Sequence, residues 1–177
     1  MKYLSLLICF LIIPPMNVID FSESKEVNKW QIVNDGVMGG LSKSTIEFNE
    51  NGNALFSGIV SLANNGGFAS VQRKVELNGV SKHNYIDIRL KGDGKRYQFR
   101  LKHDTSDYAS YIQYFETSGE WETIRLPLTD FYPSFRGRKL AMDKFNFDTI
   151  EQITFLIAYS VEEDFALEVA WIKLGSR

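Results

Sequence analysis

The sequence predicts an all-β protein, a sandwich or barrel, on three observations. Three glycine-rich bends punctuate the chain: Asn34-Asp35-Gly36-Val37-Met38-Gly39-Gly40, Asn64-Asn65-Gly66-Gly67-Phe68 and Gly92-Asp93-Gly94. Each adjoins a run of strand-forming residues, and glycine reaches positive φ without a Cβ clash. No long amphipathic helical pattern lies between them. Aromatics make up 14% of the 177 residues, with Phe the largest aromatic class, and such side chains suit a pleated surface. The length fits one domain with a full core.

The first 24 residues read as a separate segment. Lys2 opens it, residues 3–13 are almost wholly apolar, and Pro14-Pro15 ends the run. That run is too short for a comfortable transmembrane span and has the form of a secretory h-region. Ser22 and Ser24 make a small-x-small pattern before Lys25. The expectation is export to the periplasm or the exterior, with the segment either cleaved or kept as a membrane anchor. Cys9, the sole cysteine, falls here, which leaves the body of the protein without disulfide or thiolate chemistry. Residues 25–177 then read as one domain.

Strands are expected in sequence at 44–48, before the turn Asn51-Gly52, at 54–62, and at 68–77. Alternation is clearest in the middle. Ile86, Ile88 and Leu90 oppose Asp87, Arg89 and Lys91; Tyr97, Phe99 and Leu101 oppose Gln98, Arg100 and Lys102. Period-two alternation marks half-buried strands, and the intervening Asp93-Gly94 favours a type I′ hairpin with one core face and one cationic face. Residues 109–117 are apolar on both sides, as in a covered central strand or one lining an aromatic groove. Residues 121–128 alternate again, Pro127 and Pro133 frame a loop holding Phe131 and Phe135, and strands at 153–159 and 165–174 close the chain. A short helical turn is expected within 143–151. Roughly nine or ten strands suit a β-sandwich.

The wording of these motifs carries a resemblance. Trp30 with Asn34 to Ser42, then Phe56-Ser57-Gly58 and Asn64-Asn65-Gly66-Gly67-Phe68-Ala69-Ser70, resembles the opening of the complex I intermediate-associated protein family. Gly92-Asp93-Gly94 with Tyr97 is similar to that family's central hairpin. Trp121-Glu122-Thr123-Ile124-Arg125-Leu126-Pro127-Leu128, Phe131, Phe135-Arg136-Gly137-Arg138 and Phe165-Ala166-Leu167-Glu168 with Ile172 resemble its later half. The resemblance implies a galactose-binding-like jelly-roll β-sandwich, similar to some carbohydrate-binding modules. It further implies a chaperone-like binder rather than an enzyme, since the family's mitochondrial members are assembly factors for respiratory complex I. The implied partner is a protein, such as a membrane-complex subunit; the fold's alternative is a glycan.

The residues themselves point away from catalysis. His83 and His103 lack ligand-like spacing. Asp143, Asp148, Glu162, Glu163 and Asp164 fall in expected turns or loops, where acids are solvated. Ser42, Ser70 and Ser110 lack a nucleophile-elbow setting, and no Lys-Ser/Thr follows the paired glycines as in a phosphate loop. No metal, cofactor or nucleotide site is expected. A formal net charge of −2 argues against a nucleic-acid binder built on a basic face. The polar residues that stand out are Asp35, Arg73, Arg100, Gln113 and Arg136, with Tyr111 as an aromatic platform beside Tyr97, Tyr114 and Trp121. Arginine offers a planar donor fork for carboxylates or sugar hydroxyls, and aspartate accepts from both. Two readings of this set stand. It forms a ligand- or partner-binding face, or Asp35 pairs with an arginine to tie the glycine-rich loop to the sheet while the tyrosines fill the core.

Overall fold

The computed structural model describes residues 14–22 and 27–176. Among these, thirteen strands form two antiparallel sheets. They are β1 (Met16–Asp20), β2 (Trp30–Ile32), β3 (Lys43–Phe48), β4 (Ala54–Val60), β5 (Phe68–Asn78), β6 (Tyr85–Lys91), β7 (Arg96–Lys102), β8 (Ser110–Glu116), β9 (Trp121–Pro127), β10 (Tyr132–Phe135), β11 (Arg138–Lys139), β12 (Thr149–Ala158) and β13 (Glu163–Gly175). The six-stranded sheet runs β3-β4-β13-β6-β9, with β1 also on β13. The seven-stranded sheet runs β11-β10-β8-β7-β12-β5-β2. The all-β sandwich is therefore the observed fold.

The core lies between the sheets. Ile86, Ile88 and Leu90 enter it from one side, and Phe99 and Leu101 from the other, all fully buried. Phe165, Leu167 and Val169 of β13 are buried in alternation. A register shift after Val169 then moves the buried set to Ile172 and Leu174. Such a bulge lets one long strand keep an apolar face while the sheet twists.

The expected hairpin around Asp93-Gly94 is not formed. Strand β6 pairs with β13 and β9, whereas β7 pairs with β12 and β8, so this turn carries the chain from one sheet to the other. Alternation fixes which side chains are buried but not which strand lies alongside. Local contacts hold the crossing. Asp93 accepts the Tyr97 hydroxyl at 3.0 Å and the Ala166 amide at 3.0 Å, and Thr117 Oγ1 accepts the Gly94 amide. A Cβ on Gly92 would sit 2.3 Å from Thr117 Oγ1. The two polar strand faces consequently lie on opposite sides of the sandwich.

Three other expectations change. No helical turn forms at 143–151: the Phe145 amide bonds to the Phe131 carbonyl, and β12 begins at Thr149. Pro133 and Phe135 lie in a strand, β10, rather than a loop. The sandwich also starts before Lys25. Strand β1 pairs with β13 through Met16↔Leu174 and Asp20↔Trp171, and Ile19 and Phe21 belong to the core. Val18 and Ile19 are β-branched and suit a strand, although in sequence they read as the tail of a leader. Lys2, Cys9, Ser24 and Lys25 lie outside the described residues.

Candidate functional site

Residues opposite one another in an antiparallel pair share a face. On the seven-stranded sheet, Tyr132, Ile112, Arg100, Thr154, Gln72 and Gln31 form one row turned away from the core. Tyr114, Gln98, Leu156 and Ser70 form the next row on that face, and Lys102, Gln152 and Lys74 flank the first row on the other side. Ile112 and Leu156 are buried here, outside the main core cluster. The long polar side chains around them close over the sheet.

A hydrogen-bond network fixes the centre of this face. Arg100 donates from Nε at 3.0 Å and from Nη2 at 2.7 Å to the same oxygen, Gln98 Oε1. Gln98 Nε2 donates in turn to the Tyr114 hydroxyl at 3.0 Å. Gln152 Nε2 donates to Gln72 Oε1 at 3.2 Å. The Arg96 guanidinium lies 4.5 Å from the Tyr114 ring centroid, and Lys139 Nζ lies 5.3 Å from that of Tyr132. Burial pushes the Arg100 guanidinium below its ordinary pKa; the Tyr114 and Tyr132 phenols act the other way, and no carboxylate contributes.

The six residues singled out from sequence do not converge. Arg100 alone lies on this face. Gln113 pairs with Phe99 and Tyr111 with Leu101, so both point toward the core side of β8. Tyr111 is buried against Phe145 and Phe147 at ring separations of 5.5 and 5.4 Å, which rules it out as an open platform. Burial, then Asp107 and Asp143, raise its phenol pKa. Arg73 pairs with Ile153 and Trp30 and lines a cleft of about 720 Å³ with Val18, Leu77 and Glu151. Arg136 occupies the exposed two-residue turn between β10 and β11, where it and Gly137 have φ of 48° and 76°, a type I′ turn. Tyr97 is a core residue, and Trp121 sits on β9 of the other sheet.

Asp35 is 2% exposed and meets no arginine among the described residues. Its carboxylate accepts the Ser42 hydroxyl and amide, the Gly67 amide at 2.7 Å and the Phe68 amide at 3.2 Å. Burial pushes this carboxyl up, and the four hydrogen bonds outweigh it, so its pKa lies below the ordinary 3.8. It knots two glycine-rich loops together, the structural half of the sequence reading with backbone amides in place of the arginine.

Sequence reasoning missed Gln72, Gln152, Thr154 and Tyr132, because their alignment beside Arg100 depends on strand order. The alternation of Gln98, Arg100 and Lys102 against Tyr97, Phe99 and Leu101 was the available signal. Strand β8 follows the groove-lining expectation in part: Tyr111 and Phe115 face the core, while Ile112 and Tyr114 face the polar network. Of the histidines, His83 is buried with Nδ1 3.2 Å from Ser176 Oγ, and His103 pairs with Asp107 and stacks on Phe147.

Two packed antiparallel sheets of this order define a galactose-binding-like β-sandwich. Solved structures of the same fold include family 11 carbohydrate-binding modules from Clostridium thermocellum. One, in complex with a β-1,3-1,4-mixed-linked tetrasaccharide, has a TM-score of 0.67 and 18% identity over 92% of this chain and 95% of that one. Another, from the cellulosomal cellulase Lic26A-Cel5E, has a TM-score of 0.69 and 16% identity over 93% and 96%. The model of the complex I intermediate-associated protein 30 family matches residues 19–169, and the chain belongs to that family. Mitochondrial complex I intermediate-associated protein 30 of Mus musculus is 24% identical over 176 residues, covering 86% of this chain and 53% of the mouse protein. Its Drosophila melanogaster counterpart is 24% identical over 143 residues, covering 68% and 48%. The chain thus spans about half the length of the curated relatives it matches.

These relatives correct the expectation of export to the periplasm or exterior, or of an N-terminal membrane anchor there. Both are named as mitochondrial proteins. Residues 16–20, assigned to the leader in sequence, are a strand of the sandwich.

Proposed function

We propose that this chain is a non-catalytic, chaperone-like binding protein that holds a polypeptide partner during assembly of respiratory complex I. Family membership and the names of the relatives support the assembly role. The observation that carries the binding site is the Gln98–Arg100–Tyr114 network. It holds a charged fork and several amide and hydroxyl groups in fixed positions on one sheet face. Preorganised polar groups over a small apolar floor orient a ligand at low entropic cost. Asp35 belongs to the fold rather than to this site.

The test is recovery of complex I subunits with the tagged full chain from membranes of its own cells. A Thr154→Trp change, which places bulk at a buried position in the centre of the face, is expected to abolish recovery, with a melting temperature near wild type showing that the protein stays folded. Unchanged recovery would remove this face as the binding site. Turnover of a substrate, lost on a single Asp or Glu change, would replace the binding reading with an enzymatic one.

A second reading, glycan binding, draws support from the fold shared with the family 11 modules and from the exposed Tyr114 ring. A glycan array separates the two: saturable sugar binding lost in Thr154→Trp favours it.

A further inference from the structure

Resting on the partner-binding reading of the same face, we propose that Arg100 is its anion receptor and that the partner docks an acidic polypeptide segment there. An Asp or Glu carboxylate of that segment takes the outer edge of the Arg100 guanidinium.

The first argument is an unmatched charge. Strand β7 lies between β8 and β12, so Arg100 is not at a sheet edge. It is part-buried, and a guanidinium withdrawn from water requires a counter-charge or a full set of acceptors. The described residues supply neither. On the other sheet, the more exposed Arg125 receives a bidentate partner, with Nε and Nη2 each 2.8 Å from the Asp87 carboxylate. Arg100 receives one neutral amide oxygen.

The second argument is direction. Nε and Nη2 converge on Gln98 Oε1, and Tyr114 holds Gln98 in place. This orients the fork. Nη1 and the second hydrogen of Nη2 form its remaining edge, which has no acceptor among the described residues. That edge matches a carboxylate in the two-point geometry arginine favours.

The third argument is the surrounding field. The row through Arg100 contains no acid: Tyr132, Ile112, Thr154, Gln72 and Gln31 are all neutral. Lys102 and Lys74 lie on the adjoining row. The acids of this face stand at its ends, away from Arg100: Glu116, 3.9 Å from Arg96 at the far end of β7, and Glu76, exposed beside Lys74 on β5. A protein with a net charge of −2 thus presents a locally cationic strip. Such a strip attracts and orients an acidic chain.

A polypeptide fits better than an acidic sugar. Sugar rings stack on bare aromatic faces, but Tyr114 carries Arg96 on one side and Tyr132 carries Lys139. Those cations strengthen the pull on carboxylates and reduce the ring area left for stacking.

The experiment measures fluorescence anisotropy with the full chain. The probes are a short labelled peptide of alternating aspartate and serine, the same peptide with asparagine for aspartate, and an oligogalacturonate of equal charge. The aspartate peptide is expected to bind at least roughly tenfold more tightly than the asparagine peptide, in a salt-sensitive manner. Arg100→Gln is expected to erase that preference, and Arg100→Lys to restore little of it, since a lysine keeps the charge but lacks the fork. Melting temperatures near wild type show that both variants are folded. Equal binding of the two peptides, or an intact preference in Arg100→Gln, overturns the proposal. Tighter binding of oligogalacturonate than of the aspartate peptide overturns the polypeptide as occupant. The outcome is separable from the assembly reading. If Thr154→Trp abolishes subunit recovery but the peptides are not discriminated, the face binds its partner without anion recognition. If the peptides are discriminated but recovery survives Thr154→Trp, the receptor stands and the partner site lies elsewhere.

Discussion

The Asp35 carboxylate and the Gly67 amide, 32 positions apart, meet at 2.7 Å and join two glycine-rich loops at one end of the sandwich. Ser42 and Phe68 complete the set of donors. Asp35→Asn replaces an acceptor with a group that turns N–H toward N–H, and is expected to cost about 2–4 kcal/mol at neutral pH. The effect is pH-dependent. Because the folded-state pKa lies below 3.8, the carboxylate stabilises the fold above that pH, and the contribution fades as pH falls through the folded value. The gap between wild type and Asp35→Asn in urea unfolding should therefore narrow in acid. A gap constant down to strong acid would mean that the carboxylate is not the stabilising species.

The glycines beside Asp35 are not equivalent. A Cβ on Gly40 would lie 2.4 Å from Asp35 Cγ, whereas nothing lies within 4 Å of one on Gly36. Gly40→Ala should cost about 1–3 kcal/mol through overpacking. Gly36→Ala should change stability by no more than about 0.5 kcal/mol. Thermal melts of the two variants decide the matter, and similar losses would show that loop flexibility, not close approach, selects glycine here.

Neighbours on β7 should behave in opposite ways. Phe99 packs against Phe155 at 4.9 Å and Phe131 at 6.4 Å, so Phe99→Ala should cost about 3–5 kcal/mol. Gln98→Ala should cost about 1 kcal/mol while freeing the Arg100 fork, and should weaken partner recovery. Denaturant midpoints and the recovery assay together check the pair.

That division between neighbours was legible in the sequence; the neighbourhood of Arg100 was not. Alternation in β6 and β7 identified the buried side of each strand, because side-chain direction is set within a strand. Partner strands are chosen over long separations: β7 lies between β8 and the distant β12, which itself pairs with β5. Hence Arg100 was singled out while Thr154 and Gln72, its row mates, were passed over. Gln113 and Tyr111 were misplaced because β8 is apolar on both sides, which gives no sign of its inward face. Of the two readings of Asp35, a binding residue or an anchor paired with an arginine, the anchor comes nearer, but its partners are the Ser42 hydroxyl and backbone amides, which leave no mark in sequence.

Acid sensitivity should also arise at His83. Burial, then the Lys82 charge, hold its imidazole pKa below 6.5. The unfolded chain therefore binds a proton near that pH while the folded one does not, so stability is full above pH 6.5 and declines as pH falls below it. His83→Gln should flatten this slope in a stability–pH series between pH 7 and the acid range about 5. An unchanged slope would assign it to another group.

The last prediction concerns where the folding unit begins. Strand β13 is flanked by β6 on one edge, and its other edge is shared by β4 along residues 163–169 and β1 along 171–174. Removing residues 1–24 would strip the second half of that edge. It would also delete Ile19 and Phe21, with Phe21 stacked on Trp30 at 6.3 Å and set edge-on to Phe48 at 6.0 Å. Each such buried side chain contributes about 1.5–3 kcal/mol. A chain starting at Lys25 should therefore melt well below the full chain and expose an unpaired strand edge prone to association. A chain starting at Pro14 retains β1 and should melt close to the full chain. If both truncations melt alike, β1 is a dispensable addition to the sandwich; if only the longer one fails, residues 16–21 are part of the fold.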